Sequence, residues 1–304
     1  MPAESARSMT PMEKARASPV ATTLETPRGK IEFATLGDGP AVLALHGAMG
    51  GWDQSLLLAR SLGAPGFRYV AVSRPGYLGT ALSAGRTPEA QADLYAALLD
   101  ALGIRRAAVA AVSGGGPSAL AFALRHPDRC WAVVMISAAS ARIDVPVPFA
   151  WQVMKLVARF PALVARMRGR MGRDPDATAR RSIPDPALRA RTLADPEAAP
   201  LLAALQASSL DRMRERIAGT ENDIATTRRD LGLPLDRIAA PLLAVHGTAD
   251  RMVPFEMSRA LAARLPGAEL LAIEGGEHVA LFTHLAEVRA RAGRFLRAHA
   301  PAAP

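Results

Sequence analysis

A serine stands between a short apolar run and three glycines in "VAAVSGGGPSAL", residues 109–120. The letters "AVSGG" at residues 111–115 approximate the G-x-S-x-G pattern of a nucleophile elbow, with alanine in place of the first glycine. Small residues on both sides let a strand and a helix approach closely around a serine whose backbone is strained. The pattern therefore indicates Ser113 as a candidate nucleophile.

The same glycines fit two nucleotide-binding motifs poorly. A P-loop continues with Lys and then Ser or Thr, but Pro117 and Ser118 follow the glycines here. A dinucleotide fingerprint has glycines at another spacing and an acidic residue about 20 positions further on. Asp128 comes too early for that role. We therefore expect no nucleotide at this stretch.

A serine hydroxyl needs a histidine to accept its proton and a carboxylate to orient that histidine. The chain contains six histidines, which are His46, His126, His246, His278, His284 and His299. His278 follows the last predicted strand in "IEGGEHVALF", so we expect it at the same carboxyl edge of the sheet as Ser113. His284 lies further along the last predicted helix and is the weaker candidate. The other four end predicted strands or helices, which gives each a structural explanation.

The preferred carboxylate is Asp250 in "VHGTADRMVP", which closely follows a predicted strand at 241–247. The alternative, Asp144, lies further from the end of its own predicted strand. The resulting order along the chain is Ser113, Asp250 and His278. This is the order in which acid and base follow a nucleophile elbow.

Negative charge that develops on a carbonyl oxygen needs fixed hydrogen-bond donors, which form an oxyanion hole. One predicted donor is the backbone N–H of Gly114, directly after the candidate nucleophile. The second is expected in the loop after "LALHG", where Ala48 is preferred over Met49.

Short apolar runs alternate with segments of helical period, a pattern typical of a parallel sheet with helices on both faces. The strands are predicted at 31–37, 41–47, 68–73, 107–112, 132–137, 241–247 and 268–275. Helices are predicted at 87–102, 117–127, 255–265 and 279–298. A turn signal at Asp38-Gly39-Pro40 predicts that the first two strands form a hairpin at the edge of the sheet.

From about residue 143 to residue 236 the strand signals vanish, prolines recur and amphipathic stretches predict several short helices. We therefore expect a helical cap at 143–236, inserted into a core formed by 23–142 and 237–304. Residues 1–22 are expected to be a loose N-terminal arm.

The composition restricts partners and compartment. The net charge of +9 comes mainly from arginines spread along the whole chain, and no nucleic-acid motif accompanies them, so no nucleic-acid partner is expected. No signal-peptide core and no apolar run of roughly 18 residues is visible, which predicts a cytoplasmic location without a membrane span. Cys130 is the only cysteine, which rules out an internal disulfide. Neither a metal nor an organic cofactor is implied, and nothing indicates an oligomeric state.

Taken as a set, these residues resemble the α/β-hydrolase fold family, in its branch with a serine nucleophile and a helical cap. The matching landmarks are "LHGAMGGWD", "SRPGYLGT", "AVSGGGPSALAFALRHPDR", "VHGTADRMVP" and "EGGEHVALF". The resemblance covers about 30–142 and 237–300. It implies an eight-stranded, mostly parallel sheet with the three catalytic groups at one edge and a cap over the pocket. The departures are Ala111 for the usual first glycine and Glu277 where a glycine often precedes the histidine.

The resemblance implies acyl transfer through a covalent acyl-enzyme, and the apolar cap predicts a small-molecule substrate, namely a small or medium carboxylic ester. Candidate pocket residues are Met49, Phe149, Trp151 and Met154, and the cap arginines are interpreted as a solvated basic face. Thioesterase, perhydrolase, aminopeptidase and carbon–carbon hydrolase use the same groups, and a non-catalytic ligand-binding protein is a further alternative. An aminopeptidase needs a cap carboxylate such as Glu215 or Glu221 directed at the substrate amine.

Overall fold

The computed structural model describes residues 19–63, 65–147 and 149–302. Its centre is one eight-stranded sheet with strand order β1-β2-β4-β3-β5-β6-β7-β8. The strands are β1 (Thr22–Thr26), β2 (Gly29–Leu36), β3 (Ala41–Leu45), β4 (Arg68–Val72), β5 (Ala107–Val112), β6 (Cys130–Ile136), β7 (Leu242–Gly247) and β8 (Glu269–Ile273). The pairs β1–β2 and β2–β4 are antiparallel, and the other neighbouring pairs are parallel.

Helices cover both faces of this sheet. Those that alternate with the strands are α1 (Trp52–Leu62), α2 (Pro88–Ala101), α3 (Gly116–Arg125), α10 (Phe255–Arg264), α11 (Ala280–Thr283) and α12 (Leu285–His299). Six more lie between β6 and β7, namely α4 (Phe149–Val157), α5 (Pro161–Met171), α6 (Pro175–Ala179), α7 (Pro186–Ala194), α8 (Ala198–Leu210) and α9 (Ile217–Thr227). We call the chain between β6 and β7 the inserted segment.

Local sequence signals explain most helix boundaries. Thr87 caps α2 because its Oγ1 accepts a hydrogen bond from the amide of Ala90 at 3.2 Å, and Pro88 occupies the first helical turn. The predicted last helix is wrong in one respect: it is interrupted at His284, which separates α11 from α12 and has φ −129° and ψ 39°.

The predicted hairpin between residues 31–37 and 41–47 is wrong. Strand β2 pairs with β1 and β4, whereas β3 pairs with β4 and β5. All five residues of β3 are buried, as is typical of a strand inside a parallel sheet whose two faces are covered. The edge hairpin is formed by β1 and β2, so Thr22, placed in the loose arm by the sequence, begins a strand. Residues 1–18 of that arm lie outside the described residues.

Strands β3, β5, β6 and β7 are buried along almost their whole length, so each face of the sheet carries its own apolar layer. The carboxyl ends of parallel strands meet at one edge of a sheet, where loops can bring distant residues together. The loops after β3, β5, β7 and β8 carry the candidate site residues.

Candidate active site

Ser113 occupies the sharp turn between β5 and α3. Its φ is +52°, in the left-handed region that non-glycine residues rarely adopt, as expected for a nucleophile elbow. A Cβ on Gly115 would lie 2.8 Å from the backbone oxygen of His46, and one on Gly116 would lie 2.1 Å from that of Ala139. Only glycine fits at these two positions, and the absence of a side chain there lets the elbow pack against the neighbouring loops.

The three predicted catalytic side chains form one hydrogen-bonded chain. Ser113 Oγ lies 3.1 Å from His278 Nε2, and His278 Nδ1 lies 2.8 Å from Asp250 Oδ2. An ionised carboxylate only accepts, so His278 donates its Nδ1–H to Asp250, and its Nε2 accepts the hydroxyl hydrogen of Ser113. The arrangement has the geometry in which a serine proton can pass to a histidine.

Asp250 is buried and accepts hydrogen bonds at both carboxylate oxygens. The amides of Met252 and Val253 donate to Oδ1 at 2.8 and 3.0 Å, while Oδ2 faces His278 and His246. Burial acts to raise the pKa of Asp250, but hydrogen bonds from His246 and His278 outweigh it and hold the pKa well below its usual value. Asp250 therefore stays ionised at neutral pH.

His246 is a second histidine on this carboxylate, although its place at the end of a predicted strand indicates only a structural role. Its Nε2 lies 3.2 Å from Asp250 Oδ2 and 2.9 Å from the backbone oxygen of Val253. Both neighbours are acceptors, so Nε2 carries a hydrogen, and Nδ1 lies 2.7 Å from Ser258 Oγ. The imidazole is completely buried, and it contacts the same carboxylate oxygen as His278.

The two predicted oxyanion donors are neighbours. A Cβ on Gly114 would lie 3.6 Å from the amide nitrogen of Ala48. The amide of Met49, the less preferred candidate, instead donates to Thr220 Oγ1 at 2.9 Å. The Met49 amide therefore already donates a hydrogen bond to a residue of the inserted segment.

The less preferred candidates for the acid and the base, Asp144 and His284, have other partners. Asp144 is exposed and forms an ion pair with Arg142, and the Nδ1 of His284 contacts Thr283 Oγ1 at 2.9 Å. His46 is completely buried, and its Nε2 accepts the amide hydrogen of Arg74 at 3.0 Å. Burial lowers the pKa of His46 well below its usual value, so it supports the loop after β3 in its neutral form.

The four candidate pocket residues separate into two groups. Met49 and Met154 pack into one apolar cluster with Met167, Met171 and Ile217, which we call the methionine cluster. Trp151 is half-buried outside this cluster, and Phe149 is 80% exposed. The methionine cluster therefore borders the loop that carries Ala48, whereas Phe149 faces outward.

A buried charged network that sequence reasoning missed lies beside Gly114. Asp223 of α9 contacts both terminal nitrogens of Arg74 and accepts a hydrogen bond from the Tyr77 hydroxyl at 2.5 Å. A Cβ on Gly114 would lie 2.9 Å from Asp223 Oδ2. Arg74 and Tyr77 belong to "SRPGYLGT", a family landmark, but nothing in the local sequence marks Asp223 as their partner.

Two cap carboxylates considered for binding a substrate amine are already paired. Glu215 pairs with Arg212, and Glu221 pairs with Lys155 at 2.9 Å. Both carboxylate side chains are about half exposed, at 47% and 49%. Their positions do not favour the aminopeptidase alternative.

The described part of the chain holds neither a metal-binding cluster nor a membrane-spanning helix. No three His, Cys, Asp or Glu side chains there are placed to share a metal ion. No helix there combines the length and the apolar character that crossing a bilayer requires.

Comparison with known proteins identifies the family. Residues 40–285 match the family model of the alpha/beta hydrolase fold. This chain therefore belongs to the alpha/beta hydrolase fold family, and it is a hydrolase by that membership.

Individual relatives agree with this assignment. The chain is similar to a 2-hydroxy-6-oxononadienedioate/2-hydroxy-6-oxononatrienedioate hydrolase of Burkholderia vietnamiensis, with 25% identity over 88% of this chain and 91% of that protein. It is also similar to a 2-hydroxymuconate semialdehyde hydrolase of Pseudomonas putida, with 29% identity over 57% of this chain and 56% of that protein. An alpha/beta hydrolase fold protein from Nakamurella multipartita has a similar solved structure, with a TM-score of 0.81 and 39% identity, covering 92% of this chain and 99% of that one.

Proposed function

We propose that this chain is a serine hydrolase that cleaves small or medium carboxylic esters with an apolar acyl group. The observation that carries the proposal is the hydrogen-bonded chain from Ser113 through His278 to Asp250, with links of 3.1 and 2.8 Å. The left-handed backbone of Ser113 and the adjacent amides of Ala48 and Gly114 support the same chemistry.

In the proposed reaction Ser113 Oγ attacks the ester carbonyl carbon while His278 Nε2 accepts the hydroxyl proton. The amides of Ala48 and Gly114 stabilise the oxyanion, and ionised Asp250 stabilises the positively charged imidazole. The tetrahedral intermediate then loses the alcohol, which takes the proton from His278. A water molecule, deprotonated by His278, attacks the acyl-enzyme and releases the carboxylic acid and the free serine.

The charges around the site favour a neutral substrate. Arg74 and Arg216 are fully buried and contact the loop after β3, but Asp223 and Asp53 neutralise them. The methionine cluster adds apolar, deformable side chains beside Met49. A neutral ester with an apolar acyl group matches these surroundings better than a substrate with free carboxylates.

The names of the relatives favour a second candidate, a carbon–carbon hydrolase. In that reaction the same serine attacks a ketone or aldehyde carbonyl, and the leaving group is a stabilised carbanion that takes up the proton from His278. The named substrates of these relatives carry carboxylate groups, so this function needs a cation that the paired arginines do not supply.

The two candidates are separated by comparing p-nitrophenyl butyrate with 2-hydroxymuconate semialdehyde. We expect turnover of the ester by the native protein, and its loss in Ser113→Ala. A higher kcat/KM for the semialdehyde would assign carbon–carbon cleavage instead. A fluorophosphonate probe should label the native protein and not Ser113→Ala, and folded native protein that resists the probe would contradict both candidates.

A further inference from the structure

The outward side of the inserted segment exposes an unusual number of apolar side chains. Of the eight large hydrophobic residues that are exposed in the described part of the chain, five lie between residues 149 and 163. They are Phe149, Val153, Leu156, Phe160 and Leu163, with exposed fractions from 43% to 80%. The first three are spaced i, i+4 and i+7 in α4, so they share one face of that helix.

The same stretch is strongly basic. Residues 149–173 contain six cationic residues and no Asp or Glu. The cations are Lys155, Arg159, Arg166, Arg168, Arg170 and Arg173. Four of them are exposed and form no ion pair within the described residues, namely Arg159, Arg166, Arg170 and Arg173. This stretch therefore combines exposed apolar groups with uncompensated positive charge, and we call it the basic apolar face.

The apolar groups of this face are separate from the proposed pocket wall. Met154, Met167 and Met171 on the same two helices turn inward into the methionine cluster. Each helix thus has an inner side that packs against the rest of the protein and an outer side that presents Phe149 or Leu163 to solvent. The outer side needs an explanation of its own, because exposed apolar patches commonly mark interaction surfaces.

We propose that the basic apolar face docks on an anionic lipid surface, with α4 and α5 lying in the plane of the headgroups. Interfacial helices bury an apolar face at the boundary of headgroups and acyl chains, while flanking Lys and Arg bind anionic headgroups. The exposed phenylalanines and leucines supply the first element, and the unpaired arginines supply the second. This mode of binding requires no membrane-spanning helix.

The charge of this face disfavours two other occupants. In a symmetric dimer the face would meet its own copy, and the four unpaired arginines of each copy would come together without an acidic partner from the same stretch. The N-terminal residues 1–18 have two acidic residues against three cationic ones, so they offer no net negative charge to the face. An anionic lipid surface is complementary to both properties of the face.

Vesicle binding tests the proposal independently of the proposed function, because the Ser113→Ala protein serves as the test protein. We expect it to sediment with vesicles of phosphatidylcholine mixed with phosphatidylglycerol, and only weakly with vesicles of phosphatidylcholine alone. Added salt should release the protein, since screening weakens attraction to anionic headgroups. Absence of binding to the anionic vesicles at low salt would overturn the proposal.

Matched variants identify the surface. Two triple variants each remove one property of the face, and we expect each to lower the partition coefficient about tenfold or more. The apolar variant is Val153→Ser/Leu156→Ser/Phe160→Ser, and the charge variant is Arg166→Gln/Arg170→Gln/Arg173→Gln. Arg229→Gln/Arg294→Gln/Arg297→Gln removes the same charge from exposed arginines elsewhere that form no ion pair with any described residue, and it should change the partition coefficient much less. An equal loss in this control set would assign binding to net charge and contradict a specific face.

Two further measurements distinguish lipid binding from the effects of unfolding and of self-association. If circular dichroism shows that the apolar triple variant is unfolded, Phe160→Ser alone replaces it, since that side chain is 54% exposed. Sedimentation velocity without lipid detects self-association. A concentration-dependent dimer that the apolar substitutions abolish would assign the face to a second copy of the chain and overturn the lipid proposal.

Discussion

Among single residues, Asp250 is the most heavily engaged group of the candidate site. Its two oxygens accept from two backbone amides and face two histidines, so the carboxylate has one orientation and one charge state. Such a group orients His278 without rearranging during the proposed reaction, which is the property that an electrostatic support for catalysis requires.

The depressed pKa of Asp250 predicts a contribution to stability that depends on pH. The folded pKa lies below that of the unfolded chain, about 3.9, so this contribution is present above pH 4 and is lost as the pH falls. We expect Asp250→Asn to lower the free energy of unfolding by about 1–3 kcal/mol at pH 7 and by less at pH 3. Urea unfolding of both proteins at the two pH values measures this, and an unchanged difference would contradict it.

His246 is predicted to be a positioning residue that acts through Asp250. His246→Leu removes the Nε2–H donor at 3.2 Å, so Asp250 can shift, and we expect kcat to fall about 10- to 100-fold with little change in KM. His246→Gln keeps an N–H donor and should recover most of the activity.

The pH profile of kcat distinguishes positioning from a purely structural role of His246. We expect the apparent pKa of the acid limb to differ between His246→Leu and native protein, and to return toward the native value in His246→Gln. A folded His246→Leu protein with native kcat and pH profile would show that this contact does not support the reaction.

The predictability of these residues follows from where each one lies in the chain. Ser113, Asp250 and His278 come shortly after strand ends, so local patterns were sufficient to select them. Asp223 and Arg74 are far apart in sequence and meet only because α9 returns to the loop after β4. The contact between His246 and Asp250 depends on the fold of residues 247–253, which no local pattern specifies.

At the scale of elements, the turn from β5 into α3 depends on glycines, because neighbouring backbone atoms leave no space there for a side chain. The G-x-S-x-G pattern includes Gly115 but ends before Gly116. The structure supplies a role for Gly116, because a Cβ there would lie 2.1 Å from the backbone oxygen of Ala139. The loop after β6 therefore packs directly on the first residue of α3, and the amide of Ala139 donates to the oxygen of Ser113 at 3.0 Å.

Gly116→Ala is predicted to destabilise the protein by at least about 2 kcal/mol, because a backbone atom cannot move aside as a flexible side chain can. Gly169→Ala is the matched control within α5, where a new Cβ meets nothing within 4 Å. The control should be neutral or stabilising by up to about 1 kcal/mol. Thermal unfolding of both variants provides the measurement, and equal melting temperatures would contradict the packing argument.

The hairpin error also arises at this scale. Residues 37–40 bend between β2 and β3, but which strand pairs with which depends on contacts across the whole sheet. Strand β4 lies between β2 and β3, antiparallel to β2 and parallel to β3, so the chain after β2 skips one position in the sheet. Pairings of this kind are non-local and cannot be read from a turn.

At the scale of the whole molecule, polar contacts hold the inserted segment on the core. Asp223 binds Arg74, Arg216 binds Asp53 at 2.7 Å, and Thr220 accepts the amide hydrogen of Met49. Arg74 lies in the loop after β4, Asp53 in the first turn of α1, and Met49 in the loop after β3 beside Ala48, a proposed oxyanion donor. The position of the inserted segment and the geometry of the site are therefore coupled.

Asp223→Asn is predicted to destabilise the protein by about 3–5 kcal/mol, because the fully buried Arg74 loses its counter-charge. Glu221→Gln on the same helix is the matched control. Its partner Lys155 is 30% exposed, and surface pairs contribute about 0–1 kcal/mol. Chemical unfolding of the two variants measures the difference, and similar losses for both would show that the buried network does not hold the segment in place.

The pairing of β6 with β7 has a consequence for how this protein can change over evolution. The inserted segment leaves the sheet at the end of β6 and returns at β7, its immediate neighbour in the sheet. Its two ends are thus anchored side by side by the core, and doubling the length of such a connection costs only about 0.6 kcal/mol in closure entropy. Insertions, deletions or recombination between these strands can therefore replace the helices of the inserted segment while Ser113, Asp250 and His278 keep their positions. A chimaera that carries a relative's helices between β6 and β7 is a practical route to new specificity.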